Sequence, residues 1–149
     1  MSLFNGLNIS ASGLTANRLR MDVVSSNIAN ANTNRAELVD GEWVPYRRKT
    51  VELSTANASP FAKQLSSAMG QNAGGGVKAS AIREDQSPFP VTYNPDHPDA
   101  DAEGYVRTSN VDPIQEMVDL MSATRSYEAN VTAMNASKSM FMKALEIGK

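Results

Sequence analysis

The chain has 149 residues, of which 41% are hydrophobic and only 6% aromatic, a composition that suits one ordinary globular domain rather than a disordered protein. Its formal net charge of −2 provides no general attraction to nucleic acid or to an anionic membrane surface. Because the chain contains no cysteine, disulfides, thiolate nucleophiles and thiolate metal ligands are excluded.

The start of the chain does not resemble a secretory signal. Residues 1–20 lack a basic start, a continuous apolar core and a small-residue cleavage pattern, and no run approaches the roughly 20 apolar residues of a membrane span. If the protein leaves the cytoplasm, we expect export by a route that reads no cleaved signal peptide.

The N-terminal segment from Leu3 to Ala31 contains no proline and carries an apolar repeat every seven residues, which predicts a long helix. The interleaved positions include polar side chains and two glycines, each of which costs about 1 kcal/mol relative to alanine. The helix is therefore predicted to be weak when isolated. The repeat consists of Leu7, Leu14, Met21 and Ile28, with Leu3, Val24 and Ala31 on interleaved positions. Asn32 and Asn34 follow the last apolar position and are predicted to end the helix.

The C-terminal segment begins with a strong helix-start signal. Asp112 is the predicted N-cap and Pro113 the first helical residue. A second seven-residue repeat predicts a helix of about 30 residues, roughly 45 Å long. This repeat consists of Leu120, Tyr127, Met134 and Phe141, with Met117, Thr124, Val131 and Leu145 on the interleaved positions.

The two matching repeats predict a mainly α fold with a small β insertion, in which the terminal helices pair as a coiled-coil-like inner domain. The predicted divisions are residues 1–34, a β and loop segment of residues 35–109, and residues 110–149. In the middle segment, strands are predicted in "GEWVPYRRKTVELS", with Pro45 at an edge or bulge, in "VKASAI" and in "YVRTS". A glycine-rich "GQNAGGG" and the proline-rich loop "SPFPVTYNPDHPDADAEG" separate the strands. Two helices alone bury too little apolar surface, so neighbouring subunits are expected to supply the rest.

Two features of the middle segment invite a different function. Four acidic residues, Asp96, Asp99, Asp101 and Glu103, suggest a calcium loop but lack EF-hand spacing, so a solvated loop is favoured, with His97 bracing it. The basic run from Arg47 to Lys49 beside Trp43 and Tyr46 resembles the pattern of single-stranded nucleic-acid binders. A metal- or nucleic-acid-binding module, using the Asp96 to Glu103 loop or the Arg47 to Lys49 patch, is therefore the alternative function.

The eight methionines have two equally good explanations. Five of them lie in the C-terminal segment, at Met117, Met121, Met134, Met140 and Met142. Methionine fills irregular gaps in a core, and it also suits an interface that must fit non-identical neighbours.

Four stretches of the sequence resemble the bacterial flagellar basal-body rod proteins. They are "SGLTANRLRMDVVSSNIANANTNR", "PYRRK", "NPDHPDADAEGYV" and "NVDPIQEMVDLMSATRSYEANVTAMNASKSMF". The resemblance covers nearly the whole chain except "ELVDGEW" and the stretch from Ser54 to Gly76. It implies a non-enzymatic structural subunit of the proximal rod, which assembles into a hollow helical drive shaft that transmits torque for motility.

The resemblance also implies partners and a location. The partners are other copies of the chain, rod proteins of the FlgB, FlgF and FlgG types, the rod-base adaptor FliE, and the type III export apparatus during secretion. The location is the rod of the basal body, in the periplasmic space. No cofactor, metal, nucleic acid or small-molecule substrate is implied.

The assembly interface is expected to consist of the two apolar repeats and two asparagines. Asn27 and Asn30 are three residues apart, share a helix face, and are poor helix formers. The hypothesis is that their amides hold a neighbouring subunit's backbone in register without a charge to desolvate. The predicted interface residues are Leu7, Leu14, Met21, Asn27, Ile28, Asn30, Leu120, Tyr127, Met134 and Phe141.

Overall fold

The computed structural model describes residues 3–56, 64, 68 and 75–147 of the chain. Its two long helices are α1, Leu3–Ala29, and α2, Pro113–Ile147. Among the described residues between them are six short strands: β1 Glu37–Val39, β2 Glu42–Val44, β3 Lys49–Thr55, β4 Val77–Glu84, β5 Val91–Tyr93 and β6 Tyr105–Arg107. The prediction of a mainly helical chain with a small β part is confirmed.

The ends of the helices follow local capping chemistry. Asp112 caps α2, because its carboxylate accepts the N–H of Ile114 at 2.9 Å, which confirms the predicted start. At the end of α1 the side-chain amide of Asn30 donates to the Ser26 carbonyl at 2.9 Å. Asn30 therefore lies in the turn that ends α1. The prediction that it lies inside the helix was wrong. Asn32 and Asn34 lie beyond the helix end, as predicted.

The predicted strand "GEWVPYRRKTVELS" is in fact two strands with different partners. β2 pairs antiparallel with β1, so that Trp43 lies opposite Leu38, and β3 pairs with β4. Pro45 lies between β2 and β3, where its missing N–H breaks the ladder. The β1–β2 hairpin turns at Asp40 and Gly41, whose φ angles of 52° and 88° are those of a tight hairpin turn.

The predicted proline-rich loop contains a strand that the sequence pattern had not indicated. β5 pairs antiparallel with β6, and the rings of Tyr93 and Tyr105 meet edge to face at 5.4 Å. The short run from Val91 to Tyr93 has the β-branched and aromatic content of a strand, which outweighs the flanking prolines. The predicted strand "VKASAI" is confirmed within β4. Of the glycine-rich stretch, only Gly75 and Gly76 are among the described residues.

The chain forms two compact units, each of which draws on both helices. The first comprises Met1–Met21, Val51–Ala81 and Ser122–Lys149. Within it α1 and α2 run antiparallel: the Thr124 hydroxyl lies 3.5 Å from Met21 Sδ, and Gly13 lies against Asn130. A Cβ at Gly13 would be only 3.0–3.1 Å from the Asn130 amide atoms, so glycine permits this close approach.

The second unit comprises Asp22–Thr50 and Ile82–Met121. Its buried hydrophobic side chains are Val24, Val106 and Val111. Buried polar groups lie beside them, and Asn27 and Glu116 are the most enclosed, at 0% and 1% exposure. Polar contacts thus make up an unusually large part of this core.

Candidate functional site

The predicted interface residues on the helices are mostly half-buried. Leu7, Leu14, Met21 and Ile28 on α1, and Leu120, Tyr127, Met134 and Phe141 on α2, all have this intermediate exposure. The most buried residues of α1 are instead Ser10, Ala16, Val24 and Asn27, and those of α2 are Glu116 and Ala123. Small and polar side chains therefore occupy the most enclosed positions, and the apolar repeats lie beside them.

Two residues of the predicted interleaved positions on α2 lie on the surface. Met117 is 49% exposed and Leu145 is 69% exposed, although both had been assigned to the helix pair. On α2, eight buried or half-buried positions form two seven-residue series, one at residues 116, 123, 130 and 137 and the other at residues 120, 127, 134 and 141. Asp119, Thr124 and Val131 are also half-buried and lie outside these two series.

The first two turns of α2 carry an exposed apolar stripe. It consists of Ile114, Met117, Val118 and Met121, which are 71%, 49%, 57% and 55% exposed. Their spacing of three, four and seven residues places them on one face of the helix. Four large apolar side chains on one face form a surface of the kind that other proteins cover.

The amide of Asn27 is fully used within the chain. Its nitrogen donates to the Lys49 carbonyl at 2.8 Å and to Glu116 Oε2 at 2.9 Å. Its oxygen accepts the Lys49 N–H at 2.9 Å and the Tyr46 hydroxyl at 3.1 Å. An amide has two donors and two oxygen lone pairs, so none is left for a neighbouring backbone. The hypothesis that this amide holds a neighbouring subunit in register is therefore replaced by a role inside the subunit.

Arg48 and Glu116 form the charged part of the same polar cluster, which we define as Asn27, Tyr46, Arg48, Asn110 and Glu116. Arg48 Nε donates to Glu116 Oε1 at 2.6 Å, and a second guanidinium nitrogen donates to Asp119 at 3.2 Å. The backbone N–H of Arg48 donates to Asn110 Oδ1 at 2.7 Å. Among the described residues, no buried side-chain nitrogen or oxygen lacks a hydrogen-bond partner. A buried carboxylate is thus paired and hydrogen-bonded, as its desolvation requires.

Asp85 stands at the edge of the polar cluster. Its carboxylate accepts the backbone N–H of Ser87 at 2.9 Å and also the Ser87 hydroxyl. These bonds, with the nearby cations of Arg48 and Arg47, hold the pKa of Asp85 below its usual value. Its backbone carbonyl accepts the side-chain amide of Asn110 at 3.2 Å, which joins this loop to the cluster.

Two acidic side chains of the predicted calcium loop have partners within the chain. Asp99 pairs with Arg35, and Asp101 Oδ1 accepts the backbone N–H groups of Glu103 and Tyr105 at 2.9 and 2.8 Å. His97 Nδ1 accepts the Asp99 N–H at 3.1 Å, so the histidine braces the loop as predicted. Over the described residues, no group of three or more histidine, cysteine or acidic side chains is placed to hold a metal ion.

The basic run is directed toward the chain itself. Arg47 lies over the Phe89 ring, 4.3 Å from its centroid, and Lys49 Nζ lies 5.7 Å from the Tyr46 ring centroid. Arg48 belongs to the polar cluster. The three cations therefore do not form the continuous basic surface that a nucleic-acid backbone requires.

Sequence reasoning missed the partners of Asn27. Glu116 is not among the predicted site residues. Its spacing of seven from Ala123, and of fourteen from Asn130, was the available signal that it lies in the enclosed phase of the helix. Arg48 gave no such signal, because its partners are 68 and 71 residues away in the sequence.

Comparisons with known proteins identify the family. The family profile "Flagella basal body rod protein" matches residues 7–36, and "Flagellar basal body rod FlgEFG protein C-terminal" matches residues 102–147. In the described part of the chain, neither helix has a stretch apolar enough to span a membrane.

Full-length relatives agree with these two matches. The chain is 64% identical over 151 residues to the flagellar basal-body rod protein FlgC of Bacillus subtilis, with all of both chains covered. It is 44% identical to the FlgC of Borreliella burgdorferi, over 99% of this chain and 98% of the relative. It is also 44% identical to the FlgC of Escherichia coli O6:H1, with both chains fully covered. The chain therefore belongs to the family of flagellar basal-body rod proteins, and within it to the FlgC group.

Proposed function

We propose that the chain is a structural, non-enzymatic subunit of the proximal rod of the bacterial flagellar basal body. In this proposal it assembles with copies of itself and with other rod proteins into a hollow helical shaft that transmits torque. It takes its place in the rod, within the periplasmic space. Assembly of similar subunits through contacts that do not close into a ring gives such an open filament.

The observation that carries this proposal is the amount of apolar surface that the chain leaves uncovered. Within the described residues, only Ala16, Val24, Val106, Val111 and Ala123 are buried hydrophobic side chains. Seventeen large hydrophobic side chains of the described part of the chain are exposed, including the four of the stripe on α2. A subunit with a small core and a large apolar surface is suited to gain its stability from neighbours.

The helix contacts support the finer proposal of a coiled-coil-like inner domain formed by residues 1–34 and 110–149. In the first unit, Gly13 lies against Asn130 and Gly6 faces Ser137, a step of seven residues on each helix. A shared seven-residue step is the signature of helices that pair along their length. The apolar residues of the predicted interface are half-buried and remain proposed assembly residues: Leu7, Leu14, Met21, Ile28, Leu120, Tyr127, Met134 and Phe141.

The stripe provides the sharpest test. We expect Met117→Asp with Val118→Asp to abolish rod assembly and swimming, because two charges would have to be desolvated against a neighbour. Since both side chains are exposed, the helix content of the purified chain should not change. The measurements are swimming in a strain that lacks the native protein, the rod content of purified basal bodies, and circular dichroism.

The matched control is Met117→Leu with Val118→Ile, which keeps the stripe apolar and should swim normally. Secretion of each variant is measured separately, so that failed export is not mistaken for failed assembly. Normal swimming by the doubly charged variant would count against the proposal.

A further inference from the structure

Asn27 and Glu116 place an amide and a carboxylate where α1 and α2 meet in the second unit. Each is almost wholly enclosed, and they share one hydrogen bond of 2.9 Å. That bond satisfies only one of the four hydrogen-bonding positions of the amide, and it leaves Glu116 Oε1 without a donor. The two helices therefore cannot satisfy these side chains by themselves.

All the remaining partners come from one short segment, residues 46–49. Tyr46 and the backbone of Lys49 form the other three hydrogen bonds of the Asn27 amide, and Arg48 supplies the cation that pairs with Glu116. If α1 and α2 paired before this segment docked, three of the four hydrogen-bonding positions of the amide and one oxygen of the carboxylate would have no partner in the chain, which is unfavourable wherever the helix contact shields them from water. Two apolar residues at the same positions would carry no such penalty.

We propose that Asn27 and Glu116 are a pairing checkpoint, which lets α1 and α2 pair in the second unit only when residues 46–49 dock with them. The same chemistry rejects a foreign helix, because a helix that arrives without the Tyr46–Lys49 segment offers no cation for Glu116. The two residues thus determine the specificity of helix pairing, as single polar residues do in coiled coils. This inference concerns the folding of one chain and holds independently of the rod function proposed above.

The test separates a checkpoint from a simple stabilising contact. Hydrogen–deuterium exchange of the purified full chain is followed in peptides that cover residues 22–29 and 114–121. Arg48→Ala removes the cation, and we expect it to lower the protection of both helices at least 100-fold, because Glu116 is left unpaired. Adding Asn27→Leu and Glu116→Met to Arg48→Ala removes the checkpoint, and we expect protection to return to within about tenfold of the native chain.

A merely stabilising contact predicts the opposite, since each further loss from the polar cluster would lower protection again. A triple variant no better protected than Arg48→Ala would therefore overturn the proposal, as would full protection in Arg48→Ala alone. The control combines Arg48→Ala with Ser25→Leu and Glu128→Met, which make matched changes at exposed positions of the same helices. This control should stay as poorly protected as Arg48→Ala, and its recovery would also overturn the proposal.

Discussion

Replacing Asn27 with aspartate tests the polar cluster with almost no change of shape. The substitution turns the amide nitrogen into an oxygen, so that the contacts with the Lys49 carbonyl at 2.8 Å and with Glu116 Oε2 at 2.9 Å become oxygen–oxygen contacts. Two unit charges 2.9 Å apart repel by about 6 kcal/mol at an effective dielectric constant of 20. Arg48, which donates to Glu116 at 2.6 Å, offsets part of this. We expect a net loss of about 3 kcal/mol, or roughly 100-fold in protection from exchange.

The loss should depend on pH with a definite sign. The carboxyl introduced by Asn27→Asp is buried beside another carboxylate, which raises its folded-state pKa above the unfolded value of about 3.9. The destabilisation is therefore complete above the folded-state pKa and shrinks as the pH falls toward the unfolded value. The deficit should therefore be larger at pH 8 than at pH 5.

The assay is hydrogen exchange of residues 22–29 at pH 8, 6 and 5, corrected for the intrinsic exchange rate. Asn27→Ala is the control, because it removes the same hydrogen bonds without adding a charge and its deficit should not shrink at low pH. Protection of Asn27→Asp like that of the native chain at pH 8, or a deficit that follows that of Asn27→Ala at every pH, would show that no charge repulsion arises between positions 27 and 116.

Two further predictions concern the helices. Asp112→Ala should cost about 1 kcal/mol, seen as faster exchange in the first turn of α2, whereas Asp112→Asn should keep the cap to Ile114; equal damage by both would contradict the capping role. Gly13→Ala should destabilise the first unit in urea denaturation, because overpacking against Asn130 at 3.0–3.1 Å costs about 1–3 kcal/mol and exceeds the gain of about 1 kcal/mol in helix propensity. Asn130→Ala in the same chain should remove that penalty, and strictly additive effects would show that the contact is not the cause.

The sequence predicted those parts of the structure that depend on residues close to one another in the chain. The Asp112 cap, the end of α1 before Asn32 and the strand in "VKASAI" all follow from local chemistry. The β2–β3 break was within reach, because Pro45 was recognised but read as an edge or bulge within one strand. The prediction of one long strand was therefore wrong, although the missing N–H of Pro45 was a known reason for a break.

The parts that depend on distant residues could not be predicted. The partners of Asn27 lie 19, 22 and 89 residues away, and a seven-residue repeat does not reveal them. From the repeat, one expects the largest apolar side chains to lie between the helices, and the structure differs. Ala16 and Ala123 are more buried than Leu14 or Tyr127, since closely approaching helices have room only for small side chains.

If neighbouring subunits cover the apolar stripe on α2, as proposed, the stability of this chain depends on concentration. Each neighbour that covers Ile114, Met117, Val118 and Met121 binds the folded subunit and draws the folding equilibrium toward it by mass action. The free energy of unfolding measured in dilute solution is consequently a lower limit for the subunit in its shaft. A substitution that is severe in the isolated chain can be tolerated once the subunit is surrounded, whereas one that spares the isolated chain can still prevent the shaft from forming.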